Sequence, residues 1–347
     1  MHQVLRREGE RAQVATGLGW RKRIAGLVAG AAVAAGIAGA VTTPAEAKDP
    51  VIIVVSGPLA EPFFGPLKKG ADDAAKALGI EYQYSTIQDF NNVQADLARL
   101  VQQAAARKPD VLVVSNFFPD AMGPQIKKAA DSGIPVIIMD GGFESWREVG
   151  GLAYIGYDTK AVGVQAGQIE AKAGAKHGLC VDHVAGNPAL LAMCNGYVEA
   201  MKAAGADAKI VTIPLPDIQN EQANLQAIKG ALQSDPSIDA IYALGPNQVI
   251  LSVKAVDDLK RATNFKIGGL TLSKSVLEAV RDGKVLFDVD LQGYLDGYLG
   301  LTMAYQKAKF DMLPAAPVMA GPHFIFQKDA QHIMDINKEY AGYRGTE

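Results

Sequence analysis

Short β-branched runs alternate with alanine-rich helical stretches along most of the chain, and that alternation admits few folds. Val51-Ile52-Ile53-Val54-Val55, Val111-Leu112-Val113-Val114-Ser115 and Pro135-Val136-Ile137-Ile138-Met139 are apolar throughout. They lack the in-out pattern of a half-exposed strand, so both faces must be buried. Strands of this kind belong to parallel sheets covered by helices on both sides. After the first run, Leu67, Ala71, Ala74 and Leu78 recur at helical spacing, with Pro62 at the start of the stretch and Gly79 at its stop. The same reasoning predicts strands near 81–86, 153–156, 178–184, 208–213, 239–243, 265–269, 285–290 and 322–326. Helices are predicted near 92–106, 119–132, 159–175, 188–204, 220–233, 247–261, 273–282 and 294–309. No strong linker interrupts them, so the expectation is an α/β chain with open, doubly wound parallel sheets.

The N-terminal 47 residues do not share this period. Arg21-Lys22-Arg23 precedes an uncharged small and apolar run from Ile24 to about Val41, and Ala45-Glu46-Ala47 then fits a signal-peptidase site. The run is rich in Ala and Gly, which favours a cleaved signal peptide over residues 1–47 against a retained anchor. Without them, 28 basic residues face 34 acidic ones, a formal net charge of −6. An acidic surface argues against a nucleic-acid partner. About 300 residues remain, enough for two domains of ordinary size. No later apolar run approaches the ~20 residues of a bilayer span, so a soluble periplasmic protein is expected.

In doubly wound sheets, ligands gather outside the carboxyl ends of the strands. The strand-to-helix loops there are rich in Asn, Gln, Asp and aromatic residues. Phe63, Phe64, Phe117, Phe118, Phe143 and Trp146 offer rings; Glu61, Asp140, Asn187, Asn247 and Gln292 offer carboxylates and amides. That combination suits a sugar or polyol, whose hydroxyls both donate and accept while a ring packs against the C–H face. Each residue has a plainer reading beside this one. Phe63 and Phe64 fall near the apolar stripe of their own helix, Asp140 before Gly141-Gly142 fits a turn, and Asn187 and Asn247 stand where helix N-caps are expected. Gln292, at a strand end, is the least easily explained by capping.

Four segments carry a resemblance. Val55-Ser56-Gly57-Pro58-Leu59-Ala60-Glu61-Pro62-Phe63-Phe64, Ile134 to Asp140, Asp282-Gly283-Lys284 and Asp290 to Tyr298 resemble the periplasmic binding proteins of sugar ABC transporters, of the ribose-binding type. The resemblance covers essentially the whole chain after residue 47. It implies two doubly wound lobes joined by a three-stranded hinge, at 48–156 plus 293–318 and at 157–292 plus 319–347, which close on a ligand. It also implies a permease and its ATPase as partners, a monomer, no cofactor and no catalysis. Phe63 and Phe64 match the stacking pair, Asp140 the hydroxyl-binding carboxylate, and Gln292 or its neighbour Leu291 the hinge glutamine. Phe117 falls in the loop after the third strand. The departures are Glu61 where Asn is usual, Gly141 and Leu191 where Arg is usual, Gly245 for Asn and Thr271 for Asp. Two guanidinium forks are thereby lost, which points away from ribose toward another sugar, a polyol or a less hydroxylated molecule.

Cys180 and Cys194 are the only cysteines. One lies on a predicted strand and the other on the helix that turns back across it, and in an oxidising compartment this reads as a disulfide. Two buried thiols remain the alternative, because spacing alone does not set the Cα separation. No phosphate loop, HExxH, GxSxG or strand-following GxGxxG is present, and the five His make no metal-ligand spacing. A binding protein that presents its ligand to a membrane receptor would look the same in sequence, and an exported enzyme on this fold is the remaining alternative.

Overall fold

The computed structural model describes residues 48–345 except Asp89 and Asn264. The predicted signal segment, 1–47, lies outside the described residues. The three apolar runs form β1 (Ile52–Val55), β3 (Val111–Val114) and β4 (Val136–Asp140), and every residue of each is buried. With β2 (Gln83–Ser85) and β5 (Ala153–Gly156) they alternate with α1 (Phe64–Leu78), α2 (Val93–Ala106) and α3 (Pro119–Asp131). The second half continues with α4 (Thr159–Lys172), β6 (His177–Asp182), α5 (Pro188–Ala203), β7 (Asp207–Thr212) and α6 (Glu221–Ser234). It ends with β8 (Ala240–Leu244), α7 (Pro246–Asp258), β9 (Lys266–Leu270), α8 (Lys274–Arg281) and β10 (Phe287–Asp290). The last elements are α9 (Gly293–Phe310), β11 (Val318–Met319), β12 (His323–Phe326) and α10 (Gln327–Glu339).

These strands make two six-stranded sheets, ordered β11-β5-β4-β3-β1-β2 and β12-β10-β9-β8-β6-β7. The first is parallel throughout. The second is parallel except at its edge, where β12 runs antiparallel to β10, with Val289 opposite Phe324. Each sheet with its helices is a lobe, and the chain passes between them three times: from β5 to α4, from β10 to α9, and from β11 to β12. The last four elements are therefore divided between the lobes: α9 packs on α1 and the first sheet, which β11 joins, while β12 joins the second sheet and α10 packs on α8.

One packing device recurs in both lobes. A Cβ on Gly297 of α9 would lie 1.8 Å from the Leu67 carbonyl of α1, and one on Gly163 of α4 would lie 1.8 Å from the Met193 carbonyl of α5. Glycine is required at both positions because the helix backbones themselves are in contact. Cys180 on β6 and Cys194 on α5 are bonded, with Cα atoms 5.5 Å apart and both side chains buried. Beyond α10, Tyr343 packs its ring against Tyr294 of α9 at 4.5 Å, and Arg344 pairs with Asp290 at 2.7 Å. The C-terminal segment thus touches both lobes. Among the described residues no helix is long and apolar enough to cross a membrane.

Candidate functional site

The loops that leave the carboxyl ends of both sheets enclose a cavity of about 90 Å³. From the first lobe, the β1–α1 loop contributes Pro58, Glu61, Phe63 and Phe64, the segment leading into α2 contributes Phe90, and the β3–α3 loop contributes Phe117 and Phe118. Asp140 ends β4 and Gly141 follows it, and Tyr157 lies in the first crossing. The second lobe supplies His183, Asn187 and Leu190 around the start of α5, and Thr271 after β9; Leu291 comes from the second crossing.

Local sequence explains these placements. Phe64 is the first residue of α1, where a side chain leans over the helix end. Its ring lies over Gly57, at which a Cβ would stand 2.2 Å away. The ring meets Phe117 edge-on at 5.4 Å and Phe63 at 5.3 Å. Phe64 is buried and Phe63 half-buried, so Phe64 belongs both to the core and to the wall of the cavity.

Asp140 has φ 62°, a left-handed conformation that Asp tolerates better than most residues. It is 1 % exposed, and its Oδ1 accepts a hydrogen bond from the Tyr157 hydroxyl at 2.6 Å. Burial pushes its carboxyl up to about 7 despite that bond. The Glu61 carboxyl has no hydrogen-bonding partner among the described residues, and burial pushes it up to about 7 as well. His183 is pushed the other way, down to about 4, because burial disfavours its cationic form. Its Nδ1 is buried without a partner. Behind the site, Asp296 of α9 is fully buried with both carboxyl oxygens unpartnered; burial first, and the nearby Asp140 charge second, hold it well above the usual range.

Seven of the nine ligand-binding candidates line the cavity: Glu61, Phe63, Phe64, Phe117, Asp140, Asn187 and Thr271. Asn187 also caps α5, accepting from the Ala189 amide at 3.0 Å, so its two readings coexist. Thr271 has φ 78°, an outlier for a β-branched residue of the kind that concentrates at functional sites. The other two candidates lie elsewhere. Asn247 is exposed inside the first turn of α7, whose N-cap is Gly245. Gln292 adopts φ 60° and donates its side-chain amide to the Ala320 carbonyl, linking two crossing segments, while its neighbour Leu291 faces the cavity. Phe143 and Trp146 pack on Tyr154 at 5.1 and 6.5 Å and do not line the cavity. Tyr157 and His183 were not foreseen. Tyr157 directly follows a predicted strand, whereas His183 falls inside the one predicted over 178–184 and lies just past the end of β6 at Asp182.

The wall is mostly apolar, with few polar side chains and no Lys or Arg. Among the described residues no group of three or more His, Cys, Asp or Glu is arranged to hold a metal.

Residues 51–311 match the profile of the periplasmic binding protein domain. The ribose import binding protein of Salmonella typhimurium is 27 % identical over 266 residues, covering 76 % of this chain and 85 % of its own. A D-ribose/D-allose-binding protein of Pseudomonas aeruginosa is 26 % identical over 289 residues, covering 81 % and 85 %. Among solved structures, a carbohydrate transporter from Acidothermus cellulolyticus in complex with myo-inositol superimposes with a TM-score of 0.75 at 27 % identity, over 86 % of this chain and 100 % of that one. An ABC transporter solute-binding protein from Agrobacterium vitis with bound D-fucose shares the fold, with a TM-score of 0.70 at 22 % identity, over 85 % and 99 %. With a domain match spanning most of its length and the same two-lobed plan, the chain belongs to the periplasmic binding protein family.

Proposed function

We propose that the protein is exported to the periplasm, where it captures a sugar, polyol or similar small polar molecule between its lobes and delivers it to an ABC importer. The observation that carries this reading is a cavity built from the strand-end loops of both sheets, with rings on its walls and Asp140 held at its edge by Tyr157. A ligand held there touches both lobes and favours their closed arrangement. Its ring or carbon chain packs against Phe63, Phe64 and Phe117, while Glu61, Asp140, Asn187 and Thr271 meet its polar edge. Asn247 and Gln292 have structural roles in this reading. The relatives named above include an import protein, which favours delivery to a permease and its ATPase over presentation to a sensory receptor.

The apolar wall sets the ligand's character. A fully hydroxylated pentose buried against so many rings would leave hydroxyls unpaired, at roughly 1–3 kcal/mol each. The better fit is a molecule with one apolar face and a few polar groups. A thermal-shift screen of the protein lacking residues 1–47 against pentoses, hexoses, deoxy sugars, inositols and their amino derivatives tests the reading. At least one compound is expected to raise the melting temperature in a dose-dependent way and to be recovered unchanged. A screen in which no compound shifts the transition, or recovery of a converted product, overturns it.

A further inference from the structure

The charge of the cavity identifies more of the ligand than the proposed function alone. Glu61 and Asp140 both line it, and no lysine or arginine does. Arg344, which reaches the neighbouring hinge segment, is paired with Asp290 at 2.7 Å. His183 is nine-tenths buried against the same cavity with its Nδ1 unpartnered, and burial keeps it neutral. The only polar side chain bonded to Asp140's carboxylate among the described residues is the neutral Tyr157 hydroxyl. Two carboxyls, Asp140 buried and Glu61 half-buried, therefore share one cavity with five phenylalanine rings and no lysine or arginine in its lining. Burying a carboxylate without a cation is costly, and the faces of the surrounding rings carry negative electrostatic potential.

A neutral polyol can donate hydrogen bonds to these oxygens, but it cannot balance their charge. An ammonium group does both: it has three donors and no acceptor, it pairs with carboxylates, and it is attracted to aromatic faces, most strongly where water is excluded. We propose that the molecule taken by this cavity carries a positive charge: a sugar- or polyol-sized body bearing an ammonium group that meets Glu61 and Asp140 among the phenylalanine rings. The proposal rests on the reading of this cavity as the ligand site and narrows the ligand class within it. His183 and Asn187, across the cavity on the second lobe, then meet the ligand's remaining hydroxyls.

Matched pairs test it. Calorimetric titration at about pH 7.5, where alkylammonium groups are charged and both carboxyls are mostly ionised, compares ribitol with 1-amino-1-deoxy-D-ribitol, and scyllo-inositol with its monoamine. Choline serves as a cation without a polyol body. The aminated member of at least one pair is expected to bind about tenfold tighter than its neutral partner or better, the range of a charged hydrogen bond. Glu61→Gln, and independently Asp140→Asn, should each collapse that preference. If a neutral member binds as tightly as its amine, or the preference survives both substitutions, the inference falls while the sugar-or-polyol reading stands. Binding of choline alone supports the cation and removes the polyol body from the reading. If none of the five compounds binds, the cation inference is overturned, and the broader screen alone then decides the site reading.

Discussion

Asp140→Asn separates the cost of the site from its use. The carboxyl is 1 % exposed and pushed up to about 7 by burial, against an ordinary value of 3.8. The sign follows from proton binding. Between those two values the folded chain holds a proton that the unfolded chain has released, so stability falls as pH rises through the window and stays low above it. At about 1.4 kcal/mol per pH unit, the penalty reaches a ceiling of about 4 kcal/mol above pH 7. Asn has nearly the same shape, tolerates the left-handed backbone at φ 62°, and can still accept from the Tyr157 hydroxyl. It carries no charge to desolvate, although the new amide gives back part of the gain. The net expectation is a stabilisation of roughly 1–3 kcal/mol at pH 8 that disappears near pH 4. Ligand affinity should fall about tenfold or more, because a hydrogen bond to a charged group is worth about 1.5–3 kcal/mol. Urea unfolding at several pH values beside calorimetric titration measures both. A variant that is less stable than the parent at pH 8, or that binds ligand unchanged, refutes the reasoning.

Three further outcomes are expected. Replacing Cys180 and Cys194 together by Ala opens a loop of 14 residues and should cost about 2–4 kcal/mol in denaturant unfolding; an unchanged midpoint would count against it. Gly297→Ala puts a methyl group 1.8 Å from the Leu67 carbonyl, so α1 and α9 must separate, at a cost of about 1–3 kcal/mol or more. An exposed glycine such as Gly230, with open space around its Cβ position, is the control and should be neutral or stabilising as Ala. Glu170 is fully buried, donated to by Tyr197, and pushed up by burial to about 8. Glu170→Gln should therefore flatten the fall in stability from about pH 4.5 to 8, whatever it does to the absolute value, and a pH profile parallel to the parent's would rule this out.

Much of the fold was legible because parallel strands buried on both faces leave an unbroken apolar signature. β1, β3 and β4 are plain for that reason. β11 was not, since two residues at a sheet edge, Val318 and Met319, carry no periodicity. Nor was α10, whose buried side consists of only Ala330, Ile333 and Asn337. The antiparallel pairing of β12 depends on the chain's third crossing, a tertiary event that a strand's own residues do not record. In the site, residues directly after apolar strands could be found, and Glu61, Phe64 and Asp140 all line the cavity. Side-chain direction could not. Gln292 and Leu291 are neighbours, and the left-handed backbone at Gln292 turns its amide to the Ala320 carbonyl while Leu291 faces inward. Asn247 looked like a cap, but Pro246 opens α7 and the capping position is Gly245, two residues upstream of Asn247.

The most direct test is a crystal structure of the protein lacking residues 1–47, saturated with the compound that gives the largest thermal shift. The account predicts ligand density between the lobes, packed against Phe64 and Phe117, with polar atoms within hydrogen-bonding distance of the Asp140 carboxylate and of Asn187. Density for the same compound elsewhere on the molecule, with this cavity filled only by water, would contradict it.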